Sequence, residues 1–108
     1  MCSFDSIFQA LASRRRRLTL RCLLEHRELT LPDLAELVAE RESSENIAAI
    51  PADRVSRVYF SLYHTHLPKL EDADLVRYEQ EGDYVTITQR TVPALAEGRD
   101  LLETLQSK

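Results

Sequence analysis

Residues 51–74 read PADRVSRVYFSLYHTHLPKLEDAD, and this stretch carries the longest periodic pattern of the chain. Apolar or ring-bearing side chains recur every three or four residues, at positions 55, 58, 59, 62, 63, 66, 67 and 70. That spacing keeps one continuous buried face along about five helical turns. We therefore expect residues 53–73 to form one long helix. A bend is expected near Pro68, which lacks the amide that would bond the carbonyl of His64.

The chain before residue 51 predicts three more helices, at 4–12, at 14–27, and from Thr30 to a loop at 43–50. Thr30 can cap its helix because Asp33 follows three residues later and Pro32 suits the first turn. Residues 29–31 fit a very short strand ahead of this helix.

After the long helix, LVRYE (75–79) and YVTIT (84–88) predict a β-hairpin with Gly82 or Asp83 in the tight position. A last helix is expected from about residue 92, capped by Thr91. The elements then follow the order of a winged helix-turn-helix, a mainly α fold with a small β-hairpin. We expect one domain over residues 1–108, with a core at 4–89 and a C-terminal dimerisation helix at 91–107.

Chain length and hydropathy bear on the oligomeric state and the location of the protein. At 108 residues the chain makes only a small core, so a second copy would help to bury apolar surface, and we expect a homodimer. It has no 18-residue apolar run, and arginines stand where an export signal would be apolar. We predict a cytoplasmic protein with no membrane partner.

Catalytic and metal-binding signatures are missing from the sequence. It has no glycine-rich phosphate loop and no nucleophile elbow, so we predict a protein that is not an enzyme and needs no cofactor. His64 and His66 are two residues apart and point to different sides of a helix, so they cannot chelate one ion. Cys22 and His26 share a helix face, which leaves half a metal site across a dimer as an alternative.

Charge is distributed in blocks along a chain of net charge −4. Residues 14–27 hold six arginines and one glutamate, and residues 54–70 are also net positive, whereas 28–53 and 71–83 are strongly acidic. The basic residues comprise twelve arginines and two lysines, and this composition is typical of salt-adapted microbial proteins. Two basic islands in an acidic chain indicate local attraction for a polyanion.

The stretch FQALASRRRRLTLRCLLEH (residues 8–26) resembles the start of arsenical-repressor-type winged-helix regulators. HLPKLEDADLVRYE (residues 66–79) resembles the family's segment before and into the first wing strand. FQALASRRRR, LYHTHLPKL and DADLV, taken together, are similar to a haloarchaeal winged-helix domain of unknown function. The resemblance covers most of residues 4–88. It implies a dimeric transcription-related protein of archaeal origin, with the helix ending at Asp74 as recognition helix and residues 75–88 as wing.

Two features depart from the better-known families. About a dozen extra residues, 43–56, separate the helix before them from the recognition helix, so the usual tight turn is missing. Asp74 replaces the glycine that usually ends the recognition helix, at a place where a left-handed conformation is common and aspartate is tolerated.

A DNA-binding face follows from the side of the long helix opposite its apolar stripe. That side offers arginine forks and small polar groups to bases and phosphates, and it comprises Arg54, Arg57, Ser61, His64 and Thr65. Arg14 to Arg17 surround their own helix, so at most two of them can face one partner. They either pair with the acidic segment 33–45 or contact phosphate, and we expect phosphate contacts from Arg15 and Arg16.

The dimer contact is expected to come from the first and last helices. Their candidate seam residues are Phe4, Ile7, Phe8, Leu95, Leu102 and Leu105. The predicted function is that of a transcriptional regulator that binds double-stranded DNA as a homodimer.

Two other functions stay open. The acidic residues Glu79, Glu81 and Asp83 surround Arg77 in the hairpin, and Phe60 lies off the apolar stripe, which favours a winged-helix module that binds protein instead of DNA. A repressor that responds to a small molecule, a metal ion or redox state through Cys22 and His26 is the other alternative.

Overall fold

A computed structural model describes residues 4–94 and 96. Within this part of the chain the fold is mainly helical with one small antiparallel sheet. The helices are α1 (Phe4–Leu11), α2 (Arg14–His26), α3 (Leu31–Ser43), α4 (Ala52–Ser61) and α5 (Leu67–Asp72). The strands are β1 (Glu28–Thr30), β2 (Val76–Glu79) and β3 (Tyr84–Ile87). No helix of the described chain has both the length and the hydropathy that crossing a membrane requires.

Polar side chains start the two central helices. Ser13 accepts the amide of Arg16 at 3.3 Å and caps α2, and Thr30 accepts the amide of Asp33 at 3.2 Å and caps α3. Pro32 lies in the first turn of α3, where its missing donor costs nothing. The predicted Thr30 cap is confirmed.

The long helix is interrupted by a π-helical turn instead of a simple bend. Residues Leu62–His66 form this turn between α4 and α5, and the amide of Leu67 bonds the carbonyl of Leu62, five residues back. In an uninterrupted α-helix, Pro68 would leave the carbonyl of His64 without its donor. The wider turn places Pro68 in the first turn of α5, where no donor is needed.

The sheet joins the hairpin to the strand before α3. In the described chain its order is β1-β3-β2, with Glu28 opposite Thr86 and Val76 opposite Ile87. The hairpin turns at residues 80–83, where Asp83 has a φ of 54° and takes the left-handed position. The prediction left Gly82 and Asp83 as alternatives, and the residue is Asp83.

The core lies between α2, α3, the α4–α5 rod and the inner face of the sheet. Its largest fully buried side chains include Leu20, Leu23, Leu31, Leu34, Leu62, Leu67, Leu70, Leu75, Val76 and Val85. Ile7, expected at a dimer contact, is buried in this same core, so it has little surface to offer a second subunit. Phe8 is half-buried. The side chain of Phe4 and residues Leu95, Leu102 and Leu105 lie outside the described residues.

The chain turns helical again at residues 91–94. The expected cap, Thr91, is inside this turn and buried, and its hydroxyl donates to the carbonyl of Leu75 at 2.5 Å. Thr88 lies in the turn before this helix, and its hydroxyl oxygen accepts the amide of Arg90 at 3.2 Å. Thr91 is therefore the first helical residue and does not precede the helix as a cap, so that part of the prediction was wrong.

Candidate nucleic-acid interface

Helix α4 turns a polar side outward. Val58 and Leu62 are buried in the core, and Val55 packs against it. Arg54 and Arg57 are exposed on the other side of the helix. His64 and Thr65, which follow in the π-helical turn, are exposed as well. Four of the five residues predicted on this helix for DNA contact therefore reach solvent.

An open concavity forms where the start of α2 meets α4. It is lined by Arg15, Arg54, Arg57 and Val58, has a volume of about 490 Å³, and is called the arginine concavity below. Its lining comprises three arginines and one apolar residue, Val58. Such a surface suits an anion, because arginine offers planar pairs of donors that match phosphate oxygens.

Arg15 is held in the arginine concavity by two partners. Its guanidinium makes a two-bond pair with Glu42 in the last turn of α3, with Nε–Oε2 and Nη2–Oε1 distances of 2.5 and 2.8 Å. Its Nη1 donates to the hydroxyl of Ser61 at 3.1 Å. The pairing of the arginine block with the acidic segment, one of the two predicted alternatives, is therefore present at Arg15.

Ser61 differs from its prediction. It is half-buried, and its hydroxyl accepts a bond from Arg15. In this geometry Ser61 helps to orient the guanidinium of Arg15, because its half-buried hydroxyl accepts the bond from Arg15 Nη1.

Arg57 remains free to change partner. It pairs with Asp53 one turn earlier at 3.4 Å, and both side chains are more than three-quarters exposed. An exposed pair of this kind is weak and is screened by salt. A phosphate can therefore replace Asp53 as the partner of Arg57 at little cost.

Arg16 is buried, which corrects its prediction as a DNA contact. Only 8% of the residue is exposed. Its guanidinium donates to the backbone carbonyls of Gln9 and Ala10 and lies 3.0 Å from Nδ1 of His66. These bonds join the end of α1 to the π-helical turn, so Arg16 is part of the internal structure.

The last carbonyls of any helix lack hydrogen-bond partners within that helix. This general rule is the sequence signal that could have indicated an internal role for Arg16. Helix α1 ends at Leu11 only three residues before the arginine block, which brings those carbonyls within reach. Arg17 does the same, because its Nη1 donates to the carbonyl of Leu11 at 2.7 Å.

A row of stacked rings crosses from the hairpin to α4. The ring planes of Phe60 and His64 are 16° apart with centroids separated by 6.1 Å, and Tyr63 packs edge-on against both His64 and Tyr78. Tyr59 packs edge-on against Phe60 at 5.2 Å. We call these five residues the ring row. Sequence periodicity identified Phe60 as off the buried stripe, but it gave no sign of the hairpin's tyrosine.

Asp83 ties the hairpin to α4 and was missed as a structural residue. Its carboxylate accepts hydroxyl bonds from Tyr59 at 3.0 Å and from Tyr78, and its carbonyl accepts the amide of Leu31 at 2.7 Å. Burial, together with the bonds to Asp83, raises the pKa of both tyrosines. The carboxylate is therefore occupied by the fold, whereas Glu79 and Glu81 stay exposed.

Cys22 and His26 do not form a ligand pair that faces solvent. Cys22 is completely buried, and burial raises the pKa of its thiol, which disfavours the thiolate that metals bind. His26 is exposed. Over residues 4–94 and 96, no three His, Cys, Asp or Glu side chains are close enough together to hold a metal ion.

A family model described as a domain of unknown function, DUF7344, matches residues 8–86. The chain belongs to the DUF7344 family. Comparison with curated proteins and with solved structures returned no match. The DUF7344 match begins in α1 and ends in β3, so it contains the arginine concavity, the ring row and the Asp83 contacts.

Within the DUF7344 region, we expect His66 to make stability depend on pH. Burial first, and then the positive charges of Arg16, Arg15 and Lys69, lower the pKa of His66, while Glu42 acts in the opposite direction. The unfolded chain therefore takes up this proton at a higher pH than the folded protein does. We expect the free energy of unfolding to decrease as pH drops below about 6.5, until the pH passes the folded pKa.

Urea unfolding at a series of pH values would check this dependence. His66→Gln cannot take up the proton, so its stability should fall less with decreasing pH than that of the wild type. His64→Gln is the matched control because His64 is exposed, and it should keep the wild-type dependence. Equal pH dependence in wild type and His66→Gln would contradict the assignment.

Proposed function

We propose that this protein is a winged helix-turn-helix regulator of transcription that binds double-stranded DNA through the outer side of α4. The single observation that carries the proposal is the arginine concavity, which Arg15, Arg54 and Arg57 line beside the exposed side of α4. The order of helices and strands, with β1 paired to a hairpin that follows α5, is compatible with a winged helix. In that arrangement α4 is the recognition helix and residues 75–88 are the wing.

The contacts divide between phosphate and bases. Arg15 already bonds Glu42 and Ser61 through all three of its guanidinium nitrogens, and Glu42 balances its charge, so it offers a phosphate only its two remaining N–H groups. Arg54 and Arg57 are exposed and long enough to reach either a phosphate or the acceptors of guanine. His64 and Thr65 extend the same side of the helix and offer smaller polar groups.

The acidic wing limits the side from which a duplex can approach the protein. Glu79 and Glu81 are exposed on the hairpin, and they repel a phosphate backbone. A duplex therefore approaches over α4 and the start of α2, and the wing stays away from the minor groove. This is consistent with a chain whose net charge is −4 and whose attraction for DNA is local.

The proposal predicts a strong and salt-dependent loss in an arginine double variant. Arg54→Ala/Arg57→Ala should bind a labelled pool of random duplexes at least tenfold more weakly than wild type by fluorescence anisotropy. The plot of log affinity against log salt concentration should lose about 0.9 of its slope for each of the two arginines that contacts a phosphate, and about 1.8 if both do.

A control of equal charge separates this contact from general electrostatics. Arg21→Ala/Arg41→Ala removes two positive charges from the α2–α3 side, where Arg41 pairs with Glu25. It should keep most of the affinity and nearly all of the salt slope. If both double variants bind alike, α4 is not the DNA contact.

A protein-binding module is the second candidate function, and the exposed acidic residues Glu79 and Glu81 of the hairpin favour it. A wild-type protein that binds no duplex at low salt would support this function. The redox or metal-responsive repressor has weaker support, since the thiol of Cys22 is buried. Homodimerisation stays a prediction that light scattering of the purified protein would check.

A further inference from the structure

Phe60 occupies the outermost line of α4. Asp53, Arg57, Phe60 and His64 follow one another at helical spacings of four, three and four residues, which places them on one side of the rod. That side lies opposite Val58 and Leu62, which are buried. Phe60 is 53% exposed, although it is one of the largest apolar side chains of the protein.

The ring of Phe60 contacts two rings of the same rod, and these are connected in turn to the hairpin. It stacks on His64 and meets Tyr59 edge-on, and the rest of the ring row connects these contacts to Tyr78. Tyr59 and Tyr78 are themselves bonded to the carboxylate of Asp83. A ring supported in this way is presented to a partner with little freedom left to lose.

The surroundings of Phe60 do not form an apolar docking surface. Over the described residues, the large apolar side chains that stay exposed are Phe60 and Val92. Protein interfaces need a contiguous apolar centre, and one ring beside Arg57 and His64 does not provide it. A single apolar group within a basic polar helix side is instead what reads the methyl group of thymine in the major groove.

We propose that Phe60, supported by His64, is a specificity-determining residue that contacts the 5-methyl group of thymine; this inference rests on the proposed DNA-binding function. Arg57 lies one turn earlier on the same side of α4, and it contacts a phosphate or a guanine next to that thymine. The duplexes that the protein prefers therefore contain thymine next to the position that Arg57 contacts. Burying one methyl group predicts about a fourfold gain in affinity per thymine contacted.

The test uses duplexes selected by wild-type protein from a random pool, each prepared with thymine and again with uracil, which lacks only the methyl group. Wild type should bind the uracil form at least about fourfold more weakly than the thymine form. Phe60→Ala should bind the thymine form weakly and should not distinguish the two forms. Comparing the two ratios cancels the effect of uracil on the shape of the DNA.

Val92→Ala is the matched control, because it truncates the other exposed apolar side chain and should keep the wild-type ratio. Equal thymine-to-uracil ratios in wild type and Phe60→Ala would overturn this inference while leaving DNA binding in place. Failure of wild type to bind any duplex would overturn the proposed function itself. Phe60 is exposed, so its truncation should leave the fold intact, and circular dichroism would verify this.

Discussion

Replacing Arg16 with methionine is expected to lower the free energy of unfolding by about 3 kcal/mol. Methionine keeps an unbranched apolar stem but has no donors, so the carbonyls of Gln9 and Ala10 and the ring nitrogen of His66 lose their shared partner. Buried acceptors left without a donor cost more than the bond itself contributed. Denaturant unfolding followed by circular dichroism would measure the loss.

Two further variants make this prediction specific. Arg14→Met changes an exposed arginine of the same block and should alter stability by no more than about 0.5 kcal/mol. Arg16→Lys keeps the charge but not the fork of donors, so it should fall between wild type and Arg16→Met. Similar stabilities for Arg14→Met and Arg16→Met would show that Arg16 does not join α1 to the π-helical turn.

Replacing Asp83 with alanine is expected to lower the free energy of unfolding by about 2–3 kcal/mol. The variant removes the acceptor of two tyrosine hydroxyls and also places alanine at a φ of 54°, where aspartate is better tolerated. Asp83→Asn keeps one acceptor and the backbone preference, so its loss should be smaller. Thermal and urea unfolding would give both values.

Glu81→Ala is the control for Asp83, because it removes an exposed acid from the same turn. It should leave stability nearly unchanged. In a double-mutant cycle, Tyr59→Phe and Tyr78→Phe should each lose most of their effect in the Asp83→Ala background. Additive effects in that cycle would contradict the bonds of both hydroxyls to Asp83.

Local sequence signals predicted the helices and turns well. Thr30 and Asp33 set the start of α3, and the apolar spacing across residues 51–74 set the buried side of α4. Asp74 was expected to be left-handed in place of a glycine, and its φ is 61°. These features depend on residues a few positions apart, which is why the sequence alone is sufficient to find them.

The features that the sequence did not give depend on distant residues. Arg16 and His66 are fifty positions apart, and nothing in either segment indicates that they meet. The contact between Tyr59 and Asp83 joins α4 to a hairpin turn and has no periodic signature. For Pro68, a bend and a π-helical turn both accommodate the missing amide, and the structure has the π-helical turn, flanked by the buried side chains of Leu62 and Leu67.

The candidate site combines these two kinds of feature. Arg54 and Arg57 were found from helical spacing, whereas the fixed position of Arg15 depends on Glu42 and Ser61 from two other helices. The sequence therefore predicted which helix side is basic. It did not predict that Arg15 lies beside that side of α4 while the next residue, Arg16, is buried.

Titration of isotope-labelled protein with duplex DNA, followed by amide and side-chain NMR shifts, tests the central claim most directly. Binding through α4 predicts saturable shifts at Arg15, Arg54, Arg57, Phe60 and His64, with the exposed acids of the hairpin little affected. Saturable shifts confined to other surfaces, or none at any DNA concentration, would contradict the claim that this side of α4 is a DNA-binding surface.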